Sequence, residues 1–592
     1  MMARIGAAAR GFTLGAALSL LQIAAALAQD VSPEALDDML DLYGTLDRIS
    51  GGEGERTANA YLRERLDAYG VAYESYDFEL YLSHPLNAGV EILGADGRTL
   101  DAINHAFSRS TPENGVEGEL IYIGYDMQED PFDAPLIDYQ AIDVSGKIVL
   151  DDGYPAPYRA WATEEAGALA QIFINPDNQL HNMTVTTVWG APTPETKHRI
   201  PDNPIVAIKR PDGDNLRERL RSGESLRVRV TGEVDTRWRP TELVVAHIEG
   251  TAEPDKFVLV GGHIDSWHEG VTDNATGNAA MLELARLLHE NRDELRRSVR
   301  IAWWNGHSPG RYAGATWYAD NFYADIRAGA VAYVNVDSIG TRSGTIYRGT
   351  NTAELGDLNR KVIHETTGQQ VDDTGRPGKT ADEAFLVMGV SSMRFSTAIP
   401  AGSPDRGTAD GSGGSWWWHA KTDSRDKADT DLLIKDTRVL YAQVMSLAAP
   451  KIIPYDYVDT ADEMLEKLAA IDNYDTSAIS DAVEAFRTRA AQLSRIDADA
   501  VENPASWNDA LLGIGRALNT AYWSTNGPHD QDSNELIPRF PGIARAAELD
   551  ALDTDSEDAK FLLTRLKREE NRILEGIRTA TEVADALLQS IE

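Results

Sequence analysis

The tightest constraint on this chain is the run GGHIDSWHEGVTDNATG at residues 261–277. It follows Phe257-Val258-Leu259-Val260, an apolar stretch that reads as a buried strand. It precedes Met281, Leu284, Ala285 and Leu288, which fall at i, i+3, i+4 and i+7 on one helix face. A strand that hands over to a helix through a glycine pair is the unit of an α/β sheet. Polar side chains at its carboxyl end stand where such sheets bind ligands. Here those side chains are His263, Asp265 and Asp273. Imidazole and carboxylate are zinc-ligand types, and a His-x-Asp pair lets the Asp orient the ring from behind. A turn with a capping Asp and a satisfied histidine accounts for the same residues, so the spacing alone leaves both readings open.

Two later stretches carry matching chemistry. Ala330 to Val336 reads as a second apolar strand and ends in Asp337, with Gly340 close behind. Far downstream, WWWHAKTDSRDKAD places His419 after Trp416, Trp417 and Trp418 and ahead of Asp423 and Asp426. Two histidines and two aspartates spread over strand ends and loops are what a preassembled dinuclear site needs. On these positions the chain resembles the zinc exopeptidases that include bacterial leucyl-type aminopeptidases and glutamate carboxypeptidase II, with the transferrin receptor as a catalytically inactive relative.

That resemblance implies an α/β fold, a mixed sheet sandwiched by helices, and zinc, one or two ions per chain. Asp273 would bridge two ions, His263 and Asp337 would complete one site, and His419 would belong to the other. A bridging carboxylate holds two dications ~3.5–4 Å apart, where together they activate one water. The scissile carbonyl is polarised, and a positioned base carries the water's proton to the leaving amine.

The family supplies that base and one further ligand as adjacent glutamates, in a pattern like W-D-A-E-E-F-G-x-x-G-S-x-x-W. Here the segment reads Trp304-Asn305-Gly306-His307-Ser308-Pro309-Gly310-Arg311-Tyr312-Ala313-Gly314-Ala315-Thr316-Trp317. The tryptophans and Gly310 keep their places, and the two glutamates become His307 and Ser308. Three readings follow. His307 replaces the base, with Ser308 leaving the second metal poorly held; the ring's ordinary pKa of ~6.5 suits the task, although nearby dications would depress it. Alternatively His307 is itself a metal ligand, and the base lies elsewhere, near Glu269 or His268. In the third, the site is inactive and the protein is a receptor-like binding protein. A one-zinc variant, as in the glutaminyl cyclases of the same fold, keeps a glutamate that is missing here. His307 and Asp265 are thus the catalytic candidates, and His263, Asp273, Asp337, His419 and His307 the metal candidates. Arg311 and Trp418 are candidates for substrate binding. Arg311 could grip a substrate carboxylate bidentately or pair with a structural acid. Of the three tryptophans in a row, at most two can line a site.

Net charge of −38 argues against nucleic acid and anionic membrane surfaces as partners. Residues 1–29 read as a secretory signal: Arg4 and Arg10, an apolar stretch from about Phe12 to Leu27, and Ala26-Leu27-Ala28 as the cleavage site. The expectation is a periplasmic or secreted protein with no membrane span after signal cleavage. Cysteine is absent, so there are neither disulfides nor thiolate ligands. Further domains are expected as follows: 30–116, the N-terminal part of the catalytic domain; 117–235, a β-rich insert resembling a protease-associated domain; 236–452, the catalytic domain; and 453–592, a C-terminal helical domain. The segment Ala381-Asp382-Glu383-Ala384-Phe385 resembles one that borders the substrate pocket in the family. Pro538-Arg539-Phe540-Pro541-Gly542-Ile543 resembles a loop of the receptor-like members, in which the helical domain helps form a homodimer. The function expected is an exported metal-dependent amide hydrolase, an exopeptidase acting on a short peptide or amino-acid amide.

Overall fold

The structure, a computed structural model, describes residues 29–591 apart from 95–96, 124–141, 372–373, 376, 378–380, 410 and 534–538. The predicted signal therefore lies, but for Gln29, outside the described residues, as does Pro538.

One long ladder organises the sheet. Strand β1 (Ala72–Ile92) pairs antiparallel with the far end of the insert, from Ala72 opposite His247 to Ile92 opposite Val228, with one irregularity between Pro85 and Asn87. These strands far exceed the usual five or six residues, because their two ends belong to two different cores. At one end lie β2 (Thr99–Asn104), β3 (Val116–Tyr122), β4 (Ile148–Asp152), β5 (Ala170–Ile174) and β6 (Ile205–Ile208), with β7 (Leu226–Ile248) closing the set. The core there joins Val90, Ile92 and Leu100 to Ile148, Ile172, Val206 and Val228, so it draws on residues upstream of the insert proper.

At the other end, β7 pairs with β9 (Arg297–Trp304), and beyond it lie β8 (Glu253–His263), β10 (Ala330–Asn335), β13 (Ser391–Ala398), β11 (Ile346–Asn351) and β12 (Thr374–Gly375). Strands β9, β8, β10 and β13 run parallel. Buried on both faces, they read as nearly continuous apolar runs. Alternate residues still divide between the faces. Val258, Val260 and Ile301 join the larger core, and Phe257, Leu259, Ala302 and Trp304 the smaller one opposite.

The larger core is covered by α1 (Pro33–Tyr43), α2 (Glu53–Tyr69), α5 (Thr276–Glu290) and α7 (Thr430–Ala448), and the smaller by α6 (Ala313–Asn321). Helices α3 (Pro157–Glu165) and α4 (Arg210–Arg221) serve the insert. The stripe Met281, Leu284, Ala285 and Leu288 of α5 is fully buried, as its spacing predicts. Helix α7 starts where the Asp429 carboxylate accepts the amide of Leu432.

The chain ends in α8 (Tyr457–Ala469), α9 (Ser477–Leu493), α10 (Pro504–Trp523) and α11 (Glu557–Gln589), whose apolar faces continue the larger core. Arg516 of α10, buried, donates to the carbonyls of Arg327, Ala330 and Gly389, which ties these helices to the sheet. Among the described residues no helix is long and apolar enough to cross a membrane.

Candidate metal centre

Parallel pairing brings three strand ends to one edge. His263 closes β8 opposite Trp304 of β9, and Asn335 of β10 lies opposite Gly261, so His307 and Asp337 emerge beside His263. The glycine pair is required by this close packing: a Cβ on Gly261 would meet Trp304 Nε1 at 2.2 Å, and one on Gly262 the Val336 carbonyl at 2.1 Å. Asp273 stands in the turn leading into α5, and His419 arrives on the loop ahead of α7.

Asp273 offers one oxygen to each of two histidines, Oδ1 at 2.9 Å from His263 Nε2 and Oδ2 at 3.1 Å from His419 Nε2. Asp337 Oδ1 lies 3.6 Å from His263 Nε2. The His307 ring stacks on His263 with centroids 3.9 Å apart, and donor atoms of His263, His307 and Asp337 all fall within 4.8 Å of one another. Zinc takes nitrogen and oxygen donors at ~2.0–2.2 Å, so these three need only a small closure to share one ion. Of the four positions carried by the family resemblance, His263, Asp273, Asp337 and His419 thus converge. His307 joins them, at the place where the glutamate pair is missing.

Each imidazole is backed on Nδ1, by the Asp265 carbonyl at 2.8 Å for His263, the Asn182 carbonyl at 2.7 Å for His419, and Asp382 Oδ2 at 3.0 Å for His307. An acceptor on Nδ1 turns Nε2 toward ligation, the usual support of a metal-binding histidine. The charge balance fits a cation. Burial would push His263 down, but its bonds to Asp273 and Asp337 prevail and hold it well above its ordinary value. Burial pushes Asp273 and Asp337 up, and their histidine partners prevail in turn and hold both low. Burial keeps His419 below its ordinary value despite Asp273, which favours the neutral ring that a ligand needs. A proton on His263 meets the demand for positive charge here, and a dication meets the same demand.

Asp265 is wholly buried, but its carboxylate does not orient His263, whose Nδ1 lies 3.8 Å away. It receives the amides of His307 at 3.2 Å and Ser308 at 2.9 Å and so holds the substituted loop in place. Ser308 is buried and supplies only its backbone, with its carbonyl taking the Thr184 hydroxyl at 2.6 Å. Asp423 fixes the opposite wall, accepting the Thr272 hydroxyl at 2.9 Å and the Asp273 amide at 3.2 Å; burial pushes it up to about 7. Burial, then the charges of Lys421 and His419, lower His268 to about 4. The Glu269 carbonyl takes a bond from Arg48 at 2.7 Å.

Trp418 stacks on His419 at 3.7 Å, packs edge-on to Tyr154 at 5.6 Å, and is 9% exposed. Its surface is spent on holding the histidine. Trp417 is fully buried and donates to the Thr272 hydroxyl at 3.1 Å, and Trp416 turns toward Lys427. Arg311 lies on the His307 loop without a carboxylate partner among the described residues. Left-handed φ values recur around the centre, at His268 (58°), Arg311 (51°), Tyr312 (66°), Ser338 (57°) and His419 (59°); such strain concentrates at functional sites.

Three supports have no signal in their own sequence. Asp382 was read only as part of a segment bordering the pocket. The insert stretch 181–190 binds the site loops from outside, through Asn182 to His419, Thr184 to Ser308 and Gly190 to the Arg311 carbonyl at 2.7 Å. The turn at Ser50 takes the Gly306 amide at 2.6 Å, and Thr241 takes Asn305 at 2.5 Å. A low-complexity or spacing rule finds none of these, because their partners lie from 64 to 256 residues away along the chain.

Residues 244–444 match the model of Peptidase family M28. This stretch is similar to the peptidases of that family. A Zea mays protein named Probable glutamate carboxypeptidase VP8 is 24% identical over 387 residues, covering 55% of this chain and 53% of that one. The chain spans about half the length of the curated relatives it matches. An aminopeptidase from Aneurinibacillus sp. strain AM-1 has a similar fold, with a TM-score of 0.54 at 20% identity over 73% of this chain and 96% of that one. BSAP, a zinc aminopeptidase from Bacillus subtilis, gives 0.53 at 18% identity over 72% and 97%. The fold of these aminopeptidases thus covers about three quarters of this chain.

Proposed function

We propose that this M28-type protein is an exported zinc-dependent exopeptidase acting on short peptides or amino-acid amides, with a rebuilt metal site. The observation that carries the reading is the convergence of His263, His307 and Asp337 donors within 4.8 Å, next to an Asp273 shared between two histidines. Enzyme names among the relatives and the similarity of the central domain to family M28 support amide hydrolysis. Export rests on the composition of residues 1–29.

In this reading His307 takes a ligand's place and Asp382 holds its ring, as a carboxylate behind a metal-bound histidine does. Zinc so held supplies a Lewis acid for the amide carbonyl and a lowered pKa for the attacking water. Asp265 keeps His307 in place through the loop amides, and Asp273 couples this cluster to His419. Around Asp273 Oδ2 and His419 the described residues offer no third protein donor from the Ser308 position, so one ion per chain is expected.

A second reading is favoured by the same 3.0 Å bond: His307 as general base, oriented by Asp382. The two part on metal content. Elemental mass spectrometry of the purified chain should find about one zinc, and H307A should lose it under the first reading and retain it under the second. Hydrolysis of a peptide or amino-acid amide should be abolished by chelator and restored by zinc. A chain that holds no zinc when offered it, and cleaves no amide, would be a binding protein.

A further inference from the structure

We infer that Arg311 anchors a carboxylate of the substrate, so that the site takes amides carrying a free carboxylate near the bond to be cut. The inference rests on the hydrolase reading above and adds the substrate's chemical class.

Buried arginines elsewhere in the chain meet carbonyl or carboxylate oxygens through their terminal nitrogens. Arg48 reaches the carbonyls of Tyr43, Ile264, Glu269 and Gly270, and Arg297 those of Leu447, Pro450 and Lys451 besides the Glu253 carboxylate. Arg159 pairs with Asp151. Arg311 departs from this rule. Its Nε is shut off from solvent with no acceptor, as in Arg159 and Arg297, but among the described residues neither a carbonyl nor a carboxylate meets its terminal nitrogens either. The Tyr312 ring, 5.0 Å from the guanidinium carbon, is the one group that favours its charge, and burial lowers its pKa. Arg311 is half-buried, and a cation drawn even partly from water without a partner is costly. A guanidinium kept for structure would have acquired acceptors, as the others did.

Position gives the cost a purpose. The ring that Arg311 overlies meets the His307 ring edge-on at 4.8 Å and packs on Trp189 at 4.4 Å. Trp189 in turn lines a cavity of about 1170 Å³, together with Thr316, Tyr323 and His529. The guanidinium therefore stands within two ring contacts of the candidate metal ligands and of open space. Its backbone is held rigidly: consecutive left-handed φ values at Arg311 and Tyr312, with the Arg311 carbonyl taking the Gly190 amide at 2.7 Å. A planar fork pinned in this way suits a carboxylate, which it can meet with two parallel hydrogen bonds.

The test uses the full chain, first stripped of metal so that binding is read without catalysis. Thermal melts are run with N-acetyl-L-leucine, N-acetyl-L-leucinamide and 4-acetamidobutyrate. The carboxylates should raise the melting temperature of the wild type, the amide should not, and R311Q should lose the response. A response to 4-acetamidobutyrate alone supports the same anchor for a distal carboxylate. R311Q without ligand should melt no lower than the wild type, because it removes an unpaired, half-buried charge. Equal responses to acid and amide, or an acid response that survives in R311Q, would overturn the inference. Should R311Q not fold, R311K carries the test: its point charge should weaken the acid response, and an undiminished response counts against the anchor. With zinc restored, kcat/KM for an N-acyl amino acid relative to its amide should fall at least about tenfold in R311Q at unchanged zinc content. Wild-type protein that cleaves neither substrate sinks the hydrolase reading, while the melts still decide the role of Arg311.

Discussion

Asp273 is the residue on which the centre turns, because one carboxylate serves His263 at 2.9 Å and His419 at 3.1 Å. The rebuilt half of the site depends instead on a pair the family pattern does not contain, His307 with Asp382. If Asp382 orients a ligand, D382A should weaken zinc affinity by ~10–100-fold, as loss of such a partner does in other metal sites; competition against a chromogenic chelator measures it. Ser308 is the other changed position, and it offers no donor. S308E should restore a carboxylate next to Asp273 and His419 and raise zinc content above that of the wild type. An unchanged stoichiometry in folded S308E would mean that the Ser308 backbone, tied to Asp265 and Thr184, points the side chain elsewhere.

Elements matter here for what they hold still. Helix α2 carries Glu55, buried under the catalytic loop, which accepts the hydroxyls of Ser50 at 2.7 Å and Thr241 at 2.9 Å; these in turn hold Gly306 and Asn305. Burial raises Glu55 to about 7, against the opposing bonds from Gly51, Ser50 and Thr241. In the unfolded chain it titrates at ~4.3. Between these values the folded chain keeps a proton that the unfolded chain has released, so this group's contribution to stability falls as pH rises through the window. E55Q removes that dependence. The difference between variant and wild-type melting temperatures should therefore move in favour of E55Q from ~pH 5 to ~pH 8. At the other end of the chain, Arg516 of α10 satisfies three carbonyls at the edge of the sheet. R516M strands those acceptors and should lower stability by about 2 kcal/mol or more, read as a shift of the urea midpoint.

The whole molecule is built on a sheet that two cores share. The β1–β7 ladder makes the insert and the metal-bearing half one continuous surface, and the insert returns at 181–190 to grip the loops of His307 and His419. Zinc bound at this junction should stabilise the entire assembly by mass action. Its binding displaces the proton that Asp273 and Asp337 hold on His263, so affinity should rise with pH. Calorimetric titration of zinc into the stripped chain, at two pH values and in two buffers of different ionisation heat, reads both the affinity and the protons released.

The local grammar of the sequence determined a good deal. Apolar runs bounded by glycine marked β8 and β10, helical spacing marked α5, and the ligand types at strand ends and in loops marked His263, Asp273, Asp337 and His419. All of these signals lie within a few residues of the position they describe. The sequence also located the departure at His307 and Ser308, without saying what His307 does. Tertiary structure gave the ring its surroundings, placing Asp382 of a distant loop behind it and His263 against its face. It moved the Asp265 carboxylate from the histidine to the loop amides and closed Trp418 against His419. For Arg311, the sequence allowed a structural acid or a substrate carboxylate, and the described residues supply no acid. Such outcomes depend on which side chains and backbone atoms the fold brings together, and no pattern of neighbours along the chain encodes them.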